Sequence, residues 1–480
     1  MSEQIQLTPD QQIAVDAIKD FLKNATEDIF TLTGVGGAGK TTCIREAIRG
    51  QSNVIGATIS HSAKFVLGES LKGIANCITV AQLLGLRQII NEEGEISFLP
   101  KAYDQNRPLP VAQARILVID ECSMIDAETF KQIVSMKNDY CKVIFMGDAF
   151  QLPPIEGKND SITFDFTKAE LNIPVRYTGP LADLGQRIRD EIEKINNDEG
   201  ATRNLINDWQ MSELDNDART SHVNEDGSGY IFLNDINDVV RIALESFKND
   251  DDPESMRMIA YRNSSIEKIN NVMRAQLYCD GDEDEMDEIP QFMPGELVIC
   301  NGGYSVQNQE MNFPRRVIYN NQTFKVKGTL PVNGPNDIQS LSMDLEPHVP
   351  VPEGCGIYCL DWENGRYDFF NINNQLKKNA KEDSRQWSTY YNFRGQWVWF
   401  EYAYALNSHK SQGRTFTDAI IFEKDIFTVK KSTLKSKLQA LYVACTRAKR
   451  RIYIYNSKYR VDQSQLPESI KQELFPEKED

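Results

Sequence analysis

Apolar residues recur along this chain in two rhythms. Short unbroken runs at 28–33, Val54–Thr58, Ile116–Ile119 and 143–146 read as strands buried on both faces of a parallel sheet. Between them, 42–49, 63–71 and 126–135 place apolar residues on one helical face. This alternation predicts a doubly wound α/β sheet. Ahead of it, Thr8 followed by Pro9 reads as an N-cap and first helical residue. A second alternation begins after about residue 180. It comprises a strand at Met256–Ala260 and a helix at 264–277, then strand 419–422, helix Leu434–Cys445 and strand 451–455. Residues 296–400 differ: Val, Tyr, Phe and Trp alternate with Gly, Asn and Pro, which predicts an inserted β-rich domain with few helices. A polar stretch at 88–113 reads as a hairpin protruding from the first domain, and the last dozen residues as a poorly ordered acidic tail.

Length and composition narrow this picture. A chain of 480 residues exceeds one core, and the length prior suggests about three domains. The sequence has no run of about eighteen apolar residues, so no transmembrane helix is expected. Met1-Ser2-Glu3-Gln4 lacks the regions of a secretory signal, so a cytoplasmic protein is expected. The nine cysteines are an odd number without a metal-site pattern, which suits reduced thiols. The net charge of −17 argues against nucleic-acid binding by bulk positive charge. It leaves open a local groove of lysines, amides and aromatics, since much of the acid lies in blocks at 250–254 and 280–288.

The chemistry begins after the first strand. Gly34-Val35-Gly36-Gly37-Ala38-Gly39-Lys40-Thr41-Thr42 matches G-x-x-x-x-G-K-[ST] between a strand and a helix. Such a loop cradles phosphates with backbone N–H groups at a helix N-terminus. Lys40 can reach the β and γ phosphates, and the Thr41 hydroxyl can ligate Mg²⁺. Ile116-Leu117-Val118-Ile119 ends in Asp120, suited to hold Mg²⁺, and Glu121, suited to activate water. A third strand ends in Gly147-Asp148-Ala149-Phe150-Gln151, where the Gln151 amide could sense a γ-phosphate. Strand ends of a doubly wound sheet share one crevice, so these three belong to one ATP site.

These segments resemble motifs I, II and III of superfamily 1 helicases, and the likeness continues. Leu7-Thr8-Pro9-Asp10-Gln11 resembles the Q motif, which implies that Gln11 reads the adenine. Ser60-His61-Ser62-Ala63-Lys64 resembles motif Ia, and Pro174-Val175-Arg176 motif IV. Ala405-Leu406-Asn407-Ser408-His409-Lys410-Ser411-Gln412-Gly413 resembles motif V, and Leu441-Tyr442-Val443-Ala444-Cys445-Thr446-Arg447-Ala448 motif VI. Order and spacing are most similar to the 5′→3′ branch, in particular to Dda-type phage helicases and RecD-like enzymes. The resemblance implies two RecA-like domains: 1–178 with the hairpin 88–113 inserted, then 179–300 with 401–460. It further implies an inserted SH3-like domain at 301–400 and a polar tail at 461–480.

By the same resemblance, Arg176 and Arg447 are arginine fingers, and Gly413 joins the ATP site. Ser60, His61, Lys64, Thr79, Asn407, His409, Lys410 and Gln412 fall on the path of a single DNA strand. Phe98 either stacks on the last base pair at a fork or packs the hairpin against the body. The aromatics of 301–400 either fill a core or form a binding platform. The implied activity is an ATP- and Mg²⁺-dependent 5′→3′ DNA helicase in replication or recombination. It would act as a monomer on single-stranded and forked DNA, with a replication or single-strand-binding protein as partner. A protein-displacing translocase, an RNA helicase and an inactive ATP-binding scaffold are the alternatives.

Overall fold

A computed structural model describes residues 6–90, 96–100, 108–154, 161–197, 219–250, 252–282, 284–307, 315–429 and 432–475. The chain divides into two units. The first comprises 1–239, 259–262 and 407–480, the second 240–258 and 263–406.

The first unit holds one six-stranded sheet and most of a second. In the first sheet the spatial order is Asn76–Thr79, Val54–Thr58, Ile116–Ile119, Lys142–Gly147, Ile29–Gly34 and Thr167–Leu171, every pairing parallel. Its central strands are buried along their length, which is why they read as unbroken apolar runs. One face packs on the helices Pro9–Asn24 and Lys40–Ala47 through Val15, Ile18, Phe21 and Ile44. The opposite face carries Phe130 and Ile133 of the helix Ala127–Met136. Thr8 caps the first helix as the sequence suggested, in a reciprocal box with Gln11.

Gly229–Leu233, Ala448–Tyr455 and Phe416–Phe422 are parallel neighbours in the second sheet, with His222–Val223 antiparallel at one edge. Met256–Ala260 and Ala405–Asn407 form its other edge, where the chain passes to and from the second unit. The protrusion expected at 88–113 contains an antiparallel pair, Leu86–Ile90 with Ile96–Pro100, in which Gln88 lies opposite Phe98. The acidic end is more ordered than its composition suggested. Val461–Asp462 pairs with Arg219–Thr220, and the helix Glu468–Leu474 buries Ile470 and Leu474, one turn apart.

The second unit contains a five-stranded antiparallel sheet. Its order is Tyr358–Leu360, Gln339–Glu346, Thr323–Asn333, Leu297–Cys300 and Phe400–Tyr402. Val298, Phe324, Val326 and Leu345 pack its core. Two helices, Arg366–Glu382 and Trp387–Arg394, accompany the strands here, where the sequence reading had located none in particular. Phe369, Asn373 and Ala380 fall on one helical face, while Phe369 and Phe393 close on Trp397 in a small separate core. Aromatic richness had imitated a strand signal. Among the described residues, no helix is long and apolar enough to cross a membrane.

Candidate active site

Three adjacent strands of the first sheet end in the residues that the chemistry requires. Ile29–Gly34 runs into the glycine-rich loop, where Gly37 and Gly39 adopt φ of +79° and +86°. Only glycine holds such angles without strain, and there is no room for more: a Cβ on Gly39 would lie 2.4 Å from Gln11 Nε2. Lys40 opens the following helix and turns its ammonium onto the loop itself, donating to the carbonyls of Gly34 (2.7 Å) and Val35 (3.0 Å). Thr41 and Thr42 follow on the first turn of that helix.

Beyond Ile116–Ile119, Asp120 Oδ1 accepts the Glu121 N–H at 2.8 Å. Glu121 takes a left-handed conformation, φ +55°, sparsely populated for a side-chain-bearing residue. Burial, then the adjacent Glu121 charge, raises the Asp120 pKa to about 7, with Lys40 opposing. The third strand, Lys142–Gly147, delivers Asp148, which is buried. Its Oδ2 accepts from the Tyr442 hydroxyl at 2.7 Å and its Oδ1 from Phe150 N–H at 3.1 Å.

Later segments complete the site. Val175 and Arg176 donate backbone N–H groups to Gly37 O at 2.9 and 3.1 Å, which lays this segment on the phosphate loop. Arg176 also donates to Thr415 Oγ1 at 3.0 Å. Desolvation, then the charge of Arg447, lowers its pKa. The Gln412 amide donates to Glu121 Oε2 and to Gln151 Oε1, both at 3.2 Å. Gly413, with φ +74°, has room for a Cβ only at 3.5 Å from Glu121 Oε1. Arg447 is buried. Its guanidinium donates to Val443 O (2.9 Å), Arg414 O (3.2 Å) and Thr446 Oγ1 (3.0 Å), tying the end of the helix Leu434–Cys445 to the Gly413 turn.

The structure thus gathers Lys40, Glu121, Gln151, Arg176, Gln412, Gly413 and Arg447 within one unit. Two placements differ from expectation. Gln412, expected on the strand path, directs its amide to Glu121 and Gln151, because the short helix Ser408–Ser411 ends there and turns it inward. Gln11, expected to read adenine, has both amide ends engaged: Oε1 accepts from Thr8 N–H and Nε2 donates to Ala38 O at 3.0 Å. It braces the phosphate loop. Tyr442 and Asp148 stood inside the quoted motifs without a role. Their signal was a phenol and a carboxylate at buried positions of segments already singled out.

The residues expected on the strand path share a local design. Ser60, Thr79 and Asn407 each cap a helix directly after a strand, accepting from Ala63, Gln82 and Lys410 N–H respectively. His61 and Lys64 lie on the first turn after Ser60, and Lys410 on that after Asn407. The His409 ring stands edge-on to Tyr261 at 6.0 Å, and burial lowers its pKa. The Phe98 side chain lies outside the described residues.

Fold and site together define a P-loop site whose glycine-rich loop is met by Val175 and Arg176, after the first sheet, and by Tyr442, between two strands of the second. Residues 6–171 match the AAA domain family, and 402–455 match the UvrD-like helicase C-terminal domain. The chain is 24% identical over 510 residues to an uncharacterised protein of Acanthamoeba polyphaga mimivirus, covering 92% of this chain and 98% of that protein. It is 23% identical over 480 residues to the ATP-dependent DNA helicase Dda of Enterobacteria phage T4, with the same coverage of each. Among solved structures, a Pif1 helicase from Bacteroides has a TM-score of 0.47 at 16% identity, covering 98% of this chain and 96% of that one.

Proposed function

We propose that this protein is an ATP- and Mg²⁺-dependent DNA helicase that moves 5′→3′ along a single strand and separates duplexes. The observation that carries the reading is the Gln412 amide, bonded at once to Glu121 and Gln151. It ties the motif V segment, expected to hold the strand, to the residues expected to turn over ATP. Similarity along nearly its whole length to a phage DNA helicase supports DNA as the substrate. The polarity rests on the motif resemblance.

The chain's own residues suggest how turnover proceeds. The phosphate loop and Lys40 bind and orient the triphosphate, with Lys40 exchanging its two loop carbonyls for phosphate oxygens. Glu121 Oε2, held by Gln412, takes the proton of the attacking water, and Gln151 orients that water against the γ-phosphate. Arg176 reaches the charge that builds on the transferring group. Thr41, on the first turn after the phosphate loop, and Asp120, at the end of Ile116–Ile119, carry the hard oxygen donors that a magnesium ion shared with phosphates would take. When bound, the ion neutralises phosphate charge.

The test is unwinding of two matched forks, one with only a 5′ single-stranded tail and one with only a 3′ tail, with hydrolysis followed in the same tubes. Opening of the 5′-tailed fork alone is expected. Opening of the 3′-tailed fork would overturn the polarity. DNA-stimulated hydrolysis with neither fork opened would replace the helicase reading with a translocase.

A further inference from the structure

The second unit carries an aromatic face that the ATP site does not use. Four of the chain's five tryptophans fall within 362–399. The same segment holds six Lys or Arg against four Asp or Glu, a net charge of +2, in a chain whose net charge is −17. Its helices bury Phe369, Phe393 and Trp397 as a core, but other rings are left outside. Trp362 is 42% exposed, Tyr367 75% and Phe370 42%. Tyr367 and Phe370 lie three residues apart on the helix Arg366–Glu382 and so share a face. Phe370 lies 6.0 Å from Trp362 between ring centroids, and Trp362 lies 6.5 Å from Trp399. The Arg394 guanidinium covers Trp399 at 5.7 Å and donates to the Tyr390 hydroxyl at 3.1 Å.

We infer that this face is a second binding site for single-stranded DNA, taking unpaired bases on Tyr367, Phe370 and Trp362 and their phosphates near Arg394. Exposed Tyr367 beside the contacting rings of Phe370, Trp362 and Trp399, closed at one end by the Arg394 cation, offers bases a stacking surface without demanding sequence. The local charge has the sign that phosphates require, opposite to that of the whole chain. An acidic protein ligand would suit the charge, but it would leave the exposed ring faces without flat partners. The inference rests on the reading of the protein as a motor on single strands.

The experiment uses the full chain and an oligothymidylate carrying 5-iododeoxyuridine, which cross-links under ultraviolet light to rings stacked on it. Adducts at Trp362, Tyr367 or Phe370, mapped by mass spectrometry, are expected. The double variant Tyr367→Ala/Phe370→Ala should bind the same oligonucleotide at least about fivefold more weakly by fluorescence anisotropy. Its ATP hydrolysis without DNA should equal that of the unaltered protein. Adducts confined to other segments, with the variant's affinity unchanged, would overturn the inference and leave the face to a protein partner. The helicase reading would then stand, because the unaltered protein would still bind the strand. Failure of the unaltered protein to bind any single strand would overturn both. The cross-linking arm needs no variant, so a misfolded double variant would not decide the question.

Discussion

Replacing Gln412 with alanine separates two descriptions of the motif V segment. Resemblance places this side chain on the nucleic-acid path, whereas the structure directs its amide to Glu121 Oε2 and Gln151 Oε1, each at 3.2 Å. The first of these bonds has a carboxylate as acceptor, a type worth about 1.5–3 kcal/mol, and the second is a neutral pair worth about 0.5–1.5 kcal/mol. Losing both amounts to roughly 2–4.5 kcal/mol of orientation at the residues expected to hold and deprotonate the water. If most of that is realised only in the transition state, kcat falls by roughly 30-fold or more. Nucleotide binding should change little, because Lys40 is held by the carbonyls of Gly34 and Val35, which the substitution leaves in place.

The assay has three arms on one preparation of Gln412→Ala. Steady-state ATP hydrolysis is measured at saturating single-stranded DNA, nucleotide affinity with a fluorescent analogue, and strand affinity by anisotropy without nucleotide. The expected pattern is a collapse of kcat with both affinities within about twofold of the unaltered protein. The reverse pattern, strand affinity lost by about tenfold with kcat preserved at saturating DNA, would refute the structural placement. It would return Gln412 to the strand path.

Three further outcomes follow from the same geometry. Gly39→Ala forces a side chain into φ +86° and to 2.4 Å from Gln11 Nε2, so nucleotide affinity, read with the same fluorescent analogue, should be lost; near-normal affinity would show that the loop can reshape without this glycine. Tyr442→Phe keeps the buried ring but withdraws the donor from Asp148 Oδ2, at a cost of about 1.5–3 kcal/mol, and should lower the urea midpoint of the transition that reports the first unit. An unchanged midpoint would mean that Asp148 finds another donor. Arg447→Lys cannot reproduce three directed bonds to Val443 O, Arg414 O and Thr446 Oγ1, so lysine should lower both thermal stability and kcat, and retention of both would show that charge alone suffices.

The buried strands of the first sheet were legible because a strand covered on both faces must be apolar at every position. The phosphate loop was legible because its glycines answer to backbone angles that other residues avoid. The helices Arg366–Glu382 and Trp387–Arg394 were not, because their rings satisfy strand propensity and helical spacing equally well. The direction of Gln412 was hidden for a different reason. A helix as short as Ser408–Ser411 has no periodicity to read, and the turn at Gly413 alone decides where position 412 points. Gln11 shows the same limit: its spacing from Thr8 fits a capping box and a base-reading role alike, and only the Ala38 carbonyl separates them.

The hydrogen bonds around the phosphate loop also constrain what nucleotide binding exchanges. Lys40 now gives its protons to two neutral carbonyls, whereas phosphate oxygens would add the attraction of an opposite charge to bonds that the ammonium already assists. Gly36 N–H points to the Tyr442 hydroxyl across a long 3.5 Å, and that hydroxyl is committed to Asp148 at 2.7 Å. Asp148 in turn accepts the N–H of Phe150, the residue before Gln151. A change of loop shape at Gly36 therefore meets, within two side chains, the strand end that carries Gln151. On the other side, Gln151 and Glu121 share the Gln412 amide with the motif V segment. The residues expected to sense the γ-phosphate are thus reached from the loop through Tyr442 and from motif V through Gln412. A shift of either segment must break or remake a hydrogen bond to a buried or catalytic group, which is the physical requirement for ATP turnover and segment position to depend on one another.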